Sequence, residues 1–235
     1  MSQQTPHIIR EFDQAMRGLA DLVISMGAQA RLNLSRAMEA LLQRDLDRCK
    51  VVIADDTEVD EAERAVDAAG MDILLRFHPV ASDLRLVISS MKIAANLERI
   101  SDHAVNIAKR ARKMLAKPEV REARLVEPVH LLADGQLQDA LAAYADRDSE
   151  KGRGLKLRDQ ELDRAHQRVM SQLSQLLEEG GELSESYLHL LFVIRSLERV
   201  GDLAVNIGED AVFLDRAEDI RHLKRRQELS EDGAN

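Results

Sequence analysis

The sequence has no tryptophan, one cysteine and four prolines among its 235 residues, and aromatic residues make up only 3% of it. A single cysteine, Cys49, excludes an intramolecular disulfide and any zinc site built from several cysteines. We interpret Cys49 as a small packed residue. Few prolines and only eleven glycines are typical of a helical protein. With 45% hydrophobic residues, the core is expected to be aliphatic and rich in alanine.

Long apolar runs and a basic surface are missing as well. No apolar run approaches the ~20 residues of a membrane span, and the first six residues lack the features of a signal peptide. We therefore expect a cytoplasmic protein with no direct membrane span. The net charge of −9 argues against nucleic acid as a partner, because binding a phosphate backbone needs a basic surface. The one basic run, residues 221–226, is interpreted as a solvated helix end.

One eleven-residue stretch occurs twice, one hundred residues apart. Residues 97–107 read Leu-Glu-Arg-Ile-Ser-Asp-His-Ala-Val-Asn-Ile, and residues 197–207 read Leu-Glu-Arg-Val-Gly-Asp-Leu-Ala-Val-Asn-Ile. Eight of the eleven positions are identical. An internal repeat of this kind indicates that the molecule has two halves, each with a copy of one helix.

The acidic residues of each copy fall on one helix stripe, because positions i, i+4 and i+8 share a side. Carboxylates four residues apart repel each other, so we expect a cation or a nearby arginine (Arg99 or Arg199) to offset the repulsion. Oxygen ligands at this spacing suit hard or borderline metal ions. The stripes are Glu98, Asp102 and Asn106 in the first copy, and Glu198, Asp202 and Asn206 in the second.

The alternative interpretation of each stripe is a solvated helix face, since Glu-x-x-x-Asp is common on exposed helices. Repetition of the motif with its flanking apolar residues favours a site. In the first copy Leu97, Ile100, Ala104, Ile107 and Ala108 are expected to face the core, with the carboxylates at the edge of that apolar arc.

Apolar periodicity predicts six long helices, at about 7–44, 46–76, 80–116, 119–146, 148–179 and 183–216. Asp45 is the expected N-cap of the second helix and Pro79 its stop, and Ser82 or Asp83 can cap the third. The fourth is expected to be irregular near Pro128 and Gly135. Three long helices with short connections favour a bundle, so the predicted fold is all-α, with two tandem three-helix bundles. The predicted domains are residues 1–117 and 118–217, followed by a polar tail at 218–235.

A second acidic motif precedes each repeated stretch. Asp56 and Asp60 align with Asp159 and Asp163 on the second helix of each half. Neighbouring helices of a bundle could bring Asp56 and Asp60 to face Glu98 and Asp102, with four or more carboxylates around one cation. Whether they do so depends on the rotation of each helix about its axis, which the sequence leaves open. The alternative is that Asp56 and Asp60 belong to a solvated surface.

The repeated motif resembles the signature of the PhoU family of phosphate-uptake regulators. Further similarity lies in Phe-His-Pro-Val-Ala-Ser-Asp-Leu-Arg at residues 77–85 and in Phe12-Asp13, and the resemblance spans about residues 8–215. It implies two tandem three-helix bundles and a cytoplasmic, non-enzymatic negative regulator of phosphate signalling and uptake. The implied partners are a PhoR-type sensor histidine kinase and the ATPase subunit of the phosphate ABC transporter, with a homodimer as a further expectation.

The resemblance also implies metal ligands. The implied ion is divalent or trivalent, with iron or zinc preferred and manganese or magnesium as alternatives. Two departures from the family pattern stand out: Ser101 replaces a usual Gly, and Leu203 replaces a usual His, so any role of His103 has no counterpart in the second half. The implied ligands are Glu98, Asp102, Glu198 and Asp202, with Asp56, Asp60, Asp159 and Asp163 as second contributors and Asn106, Asn206 and His103 as accessory residues.

Three other functions are alternatives to this one. A ferritin-like carboxylate metalloprotein needs paired Glu-x-x-His motifs, and the chain has only Glu127-Pro128-Val129-His130. In a metal-independent helical adaptor, the acidic stripes would be solvated helix faces that bind no ion. A phosphotransfer bundle would need a reactive histidine, for which His103 is the candidate. Gly152-Arg153-Gly154 lacks the context of a phosphate-binding loop, and no nucleophile–base pair is evident, so we predict a non-enzyme.

Overall fold

The computed structural model describes residues 4–221, with side chains from residue 9 onward, and within that range all regular structure is helical. The first bundle contains the first four helices and the second bundle the last three, which confirms the predicted fold. Most of the basic run at 221–226 and of the predicted polar tail lies outside the described residues. The helices are α1 (Gln4–Gln43), α2 (Leu46–Ala54), α3 (Asp56–Phe77), α4 (Ala81–Met114), α5 (Glu127–Asp146), α6 (Ser149–Glu179) and α7 (Ser184–Arg216), with a 3-10 turn at Arg121–Val126 before α5.

The predicted second helix is in fact two helices. Its N-cap is Asp45, as expected, whose carboxylate accepts hydrogen bonds from the backbone N–H groups of Asp47 and Arg48. The break falls at Asp55, which lies between α2 and α3 and pairs with Arg36 of α1 at 3.0 Å. A tertiary ion pair at the break is not visible in the periodicity of the sequence.

Two other helix starts also differ from the prediction. Neither Ser82 nor Asp83 caps α4: its N-cap is Val80, in extended conformation after Pro79 and without a side-chain hydrogen bond. The fourth predicted helix begins only at Glu127, with Pro128 in its first turn, where the missing N–H costs no helical hydrogen bond. Gly135 does not interrupt this helix.

The core is aliphatic, as the composition predicts. The five residues expected to form the apolar arc of the first motif copy are all fully buried, which confirms the predicted orientation of that helix. Cys49 is buried too, and burial raises the pKa of its thiol, as expected for a packed residue rather than a nucleophile.

The two bundles meet along α4 and α7, which run antiparallel. The start of α4 contacts the end of α7, where Lys92 lies 3.5 Å from Asp210. The end of α4 contacts the start of α7, where the Arg110 guanidinium stacks 4.0 Å above the Phe192 ring. The two copies of the repeated motif therefore lie side by side at the junction of the halves. The predicted domain boundary at Pro118 falls between α4 and the 3-10 turn.

Candidate functional site

The acidic motifs of the first half lie next to each other on α3 and α4. Burial raises the pKa of Glu98, and the charges of Asp102, Glu63, Asp60 and Asp56 raise it further. These five residues form what we call the first carboxylate cluster. The charges of Asp56 and Asp60 thus act on Glu98, and the charge of Asp102 acts on Asp56, so the two acidic motifs lie within electrostatic reach of each other.

The second half has a matching group on α6 and α7: Asp159, Asp163, Glu198 and Asp202, called here the second carboxylate cluster. Burial raises the pKa of Asp159 to about 6, with further contributions from Asp163 and Asp202. The amide of Gln136, on α5, lowers this pKa in part. Asp159 Oδ1 is buried and has no hydrogen bond of normal geometry. A cation would therefore be more stabilising here than at an exposed carboxylate.

The arginine of the repeated motif offsets the repulsion in the second cluster but not in the first, where Arg64 of α3 lies 4.0 Å from Asp60 instead. Arg199 pairs with Asp202 at 2.9 Å and with Glu198 at 3.6 Å. Its repeat counterpart, Arg99, forms no ion pair among the described residues. The two clusters therefore differ electrostatically although their sequence motifs are nearly identical.

The three accessory residues line surface depressions along the junction of the halves. Asn106 and Asn206 are exposed, and His103 is partly buried. Burial lowers the pKa of His103, and its Nδ1 has no hydrogen-bond partner. Leu203, which occupies the equivalent position in the second half, is buried. His103 and Asn206 line one depression between the halves, together with Arg99, Arg199 and Asp202.

The departure at Ser101 is accommodated by packing. Ser101 is fully buried, and its Oγ accepts a hydrogen bond from Asn33 Nδ2 at 3.3 Å. At the equivalent Gly201, an added Cβ would overlap with Leu162 and approach the Gln136 amide oxygen to 2.8 Å. Both positions therefore hold small residues because another helix packs closely on them.

The donor atoms of both clusters are carboxylate oxygens, which fit hard and borderline cations by chemistry. From residue 9 to residue 221, however, no three Asp, Glu, His or Cys side chains are arranged closely enough to hold one metal ion. Ligation of one ion by several of these carboxylates requires side-chain rotation from the conformations seen here.

Sequence reasoning missed two residues of these sites. Glu63 belongs to the first cluster, and the i, i+4, i+7 spacing of Asp56, Asp60 and Glu63 on α3 contained the signal for it. Gln136 comes from α5, and no motif in the sequence connects it with Asp159. The rival pair Glu127 and His130 lies on α5, outside both clusters, and has no second Glu-x-x-His copy in the sequence.

Fold and site together define a class of protein: a tandem pair of helical bundles that carries a repeated carboxylate cluster in each half. The family description "PhoU domain" matches twice, at residues 23–111 and 127–211. The chain belongs to the PhoU family, which confirms the resemblance seen in its motifs.

Named relatives and solved structures agree with this assignment. The "Phosphate-specific transport system accessory protein PhoU homolog" of Rhizobium meliloti is 34% identical over 209 residues, which cover 88% of each chain. The homologue of the same description from Pseudomonas aeruginosa is 32% identical and covers 93% of this chain and 91% of its own.

Among solved structures, PhoU from Pseudomonas aeruginosa superposes with a TM-score of 0.84 at 30% identity, covering 88% of this chain and all of its own. The phosphate transport system regulatory protein PhoU from Streptococcus pneumoniae gives 0.82 at 25% identity, with 89% and 99% covered. These descriptions name accessory and regulatory proteins, which confirms the prediction of a non-enzyme.

Within residues 4–221, no helix is long and apolar enough to cross a membrane.

Proposed function

We propose that this protein is a cytoplasmic negative regulator of phosphate uptake and signalling. It acts as an adaptor between the ATPase subunit of a phosphate ABC transporter and a PhoR-type sensor kinase. The observation that carries the proposal is the double PhoU-domain match, one per bundle, together with relatives described as accessory proteins of phosphate-specific transport. An adaptor for two partners suits a molecule with two similar halves.

Cross-linking in living cells tests the adaptor role. Cells expressing the full chain are grown in high phosphate, cross-linked and lysed, and the sensor kinase and the transporter ATPase subunit are quantified in the purified complexes. Both proteins are expected to be enriched over a mock purification and over an unrelated helical protein. Recovery of neither partner would contradict the adaptor role.

We further propose that the carboxylate clusters bind metal ions, with iron or zinc preferred and manganese or magnesium as alternatives. The mutual repulsion of the carboxylates in each cluster supports this, as does Asp159 Oδ1, which is buried and has no hydrogen bond of normal geometry. Glu98, Asp102, Asp56 and Asp60 would hold an ion in the first half, and Glu198, Asp202, Asp159 and Asp163 in the second. Such an ion would neutralise repelling carboxylates and brace α3 against α4 and α6 against α7.

Elemental analysis of untagged protein, purified without chelator, tests metal binding. The variant Glu98→Gln/Asp102→Asn/Glu198→Gln/Asp202→Asn removes both repeated motifs. A matched control removes four exposed carboxylates outside the clusters: Glu58→Gln, Glu61→Gln, Glu161→Gln and Glu178→Gln. Stoichiometric metal is expected in the parent and the control, and little in the cluster variant.

Elemental analysis also tests the second candidate function, a metal-independent helical adaptor. This alternative is favoured by Arg199, which already neutralises part of the second cluster. Absence of metal from parent and variant alike, with no uptake on titration, would establish the alternative. A homodimer stays a prediction, which sedimentation of the full chain tests.

A further inference from the structure

A groove with four arginines runs along the junction of the two bundles. It has a volume of about 400 Å³ and lies beside the depression that contains Asp202. The antiparallel packing of α4 and α7 brings these arginines together although they come from opposite halves. We call this feature the arginine groove; its lining residues are Arg99, His103, Asn106 and Arg110 from α4, and Phe192, Arg195, Ser196 and Arg199 from α7.

Within the described part of the chain, three of the four arginines of the groove form no ion pair, although Arg99 and Arg199 also line the adjoining depression with Asp159 and Asp202. No carboxylate is among the lining residues of the groove itself. Arg99 and Arg195 are exposed and form neither a salt bridge nor a hydrogen bond there. Arg110 contacts the face of Phe192, and only Arg199 has carboxylate partners. Guanidinium groups that face one groove repel one another unless an anion lies between them.

The protein as a whole is acidic, with a net charge of −9. An unpaired group of cations in such a chain is therefore not explained by a general excess of basic residues. Elsewhere on the described surface some arginines pair with carboxylates, as in Arg31 with Asp134 at 2.7 Å and Arg76 with Asp72 at 3.0 Å, and others, such as Arg168, form no ion pair. The arginine groove is distinguished by the grouping of four arginines from both halves in one depression, where Arg199 alone among the four forms an ion pair with a described residue.

We propose that the arginine groove binds an anion through a phosphoryl group. Guanidinium groups present a planar fork of N–H donors that matches phosphate oxygens in a bidentate manner. A phosphoryl group offers three or more oxygens and up to two negative charges, so it can bridge arginines from both helices at once. A single carboxylate has two oxygens and one charge and leaves most of these donors unused. The Ser196 hydroxyl and the Asn106 amide add neutral polar groups to the lining.

The phosphoryl group can come from free phosphate or from a phosphorylated small molecule. The volume of the groove lies within the range of ordinary small-molecule sites, roughly 300–1,000 Å³, which leaves room for more than a phosphate ion. Phe192 is 40% exposed and offers an aromatic surface at the edge of the groove. Either source would contact both halves of the molecule. This inference requires neither the proposed adaptor role nor metal in the carboxylate clusters.

Isothermal titration of the full chain, freed of metal and phosphate by chelation and dialysis, tests the proposal. The probes are inorganic phosphate and ATP, both without metal, with chloride at equal ionic strength as the control for general screening. The variants are Arg99→Gln and Arg195→Gln, singly and together, since neither residue loses a native ion pair. Arg168→Gln, an exposed arginine on α6 outside the groove, is the matched control.

Saturable binding of at least one probe is expected, with one site per chain. The double variant should bind at least about tenfold more weakly, because a lost charge-assisted hydrogen bond is worth about 1.4 kcal/mol or more, while Arg168→Gln should bind as the parent does. Binding of phosphate with comparable affinity to ATP would identify free phosphate as sufficient, and binding of ATP alone would identify a phosphorylated small molecule. Failure of both probes to bind, or equal binding by parent and double variant, would overturn the proposal.

Thermal melting without ligand separates binding from folding. Neither the double variant nor Arg168→Gln should melt at a lower temperature than the parent, because the replaced guanidinium groups have no ion pair to lose in the described structure and the double variant is relieved of repulsion in the groove. Addition of the bound probe should raise the melting temperature of the parent and of Arg168→Gln by similar amounts, and that of the double variant by clearly less. Equal stabilisation of all three proteins would also contradict the proposal.

Discussion

Asp210 is a buried carboxylate that lies outside both clusters, at the junction of the halves. Its side chain is 8% exposed, and Lys92 of α4 lies 3.5 Å away. Burial raises the pKa of Asp210, and the attraction of Lys92 only partly offsets this effect. The folded protein therefore binds a proton at this position more readily than the unfolded chain does.

Because the pKa of Asp210 is raised on folding, its contribution to the free energy of unfolding is fully present below its unfolded pKa, near 3.8. That contribution is lost as the pH rises through the folded pKa. Asp210→Asn is therefore expected to raise the free energy of unfolding at pH 7 by on the order of 1 kcal/mol, and to change it little at pH 3. Urea unfolding at both values measures this.

Asp13→Asn, at an exposed position on α1, is the control and should change the free energy of unfolding little at either pH. A loss of stability at pH 7 on Asp210→Asn would mean that the pair with Lys92 outweighs the cost of burial, contrary to this account.

At the scale of helices, apolar periodicity and the residues that cap or terminate helices predict most of the fold. The Asp45 cap, the stop at Pro79 and the predicted end of the fifth helix at residue 179 are correct, because each depends on residues close in sequence. The break at Asp55 was missed because its partner, Arg36, is on another helix. The sequence draws attention to Gly152 only through its resemblance to a phosphate-binding loop, and its actual role is in helix packing.

Gly152 of α6 lies against the backbone of Gly208 of α7. A Cβ at Gly152 would lie 2.7 Å from the Gly208 carbonyl oxygen, which cannot move without shifting α7. Gly152→Ala is therefore expected to lower the free energy of unfolding by about 1–3 kcal/mol. Chemical denaturation measures the change.

Gly154 lies two residues away on the same helix, and a Cβ added there would have no other atom within 4 Å. Gly154→Ala should stabilise the protein by roughly 0.5–1 kcal/mol, because alanine favours the helix over the unfolded chain. If Gly152→Ala were as stable as Gly154→Ala, the close approach of α6 and α7 would be contradicted.

At the scale of the whole molecule, the two bundles share a buried interface rather than a flexible linker. Ser90 of α4 and Tyr144 of α5 form a buried hydrogen bond between the halves at 2.7 Å. Arg85 Nε donates to the Leu214 carbonyl oxygen at 3.2 Å. Helices α4 and α7 each pack on their own bundle and on each other, so neither half buries its surface completely without the other.

The metal-free protein is accordingly expected to unfold in one cooperative transition. Scanning calorimetry should give equal calorimetric and van't Hoff enthalpies. Two resolved transitions, one for each bundle, would contradict the shared interface and indicate that the halves fold independently.

The sequence predicted the acidic motif on each of α3, α4, α6 and α7, because each motif lies on one helix with readable spacing. It left open whether the motifs of neighbouring helices come together, because that depends on how the helices pack. The arginine groove was not predicted, since it arises only when α4 of one half packs antiparallel to α7 of the other. No periodicity along one helix contains that information. The Gln136 contribution to the second cluster was missed for the same physical reason.

The measurement that tests the central claim most directly is expression of phosphate-starvation genes in a host from which the gene for this protein has been deleted. In rich phosphate, the deletion strain is expected to express these genes strongly, and a plasmid carrying the full chain should restore repression. Unchanged expression on deletion would contradict the proposal that the protein restrains phosphate signalling.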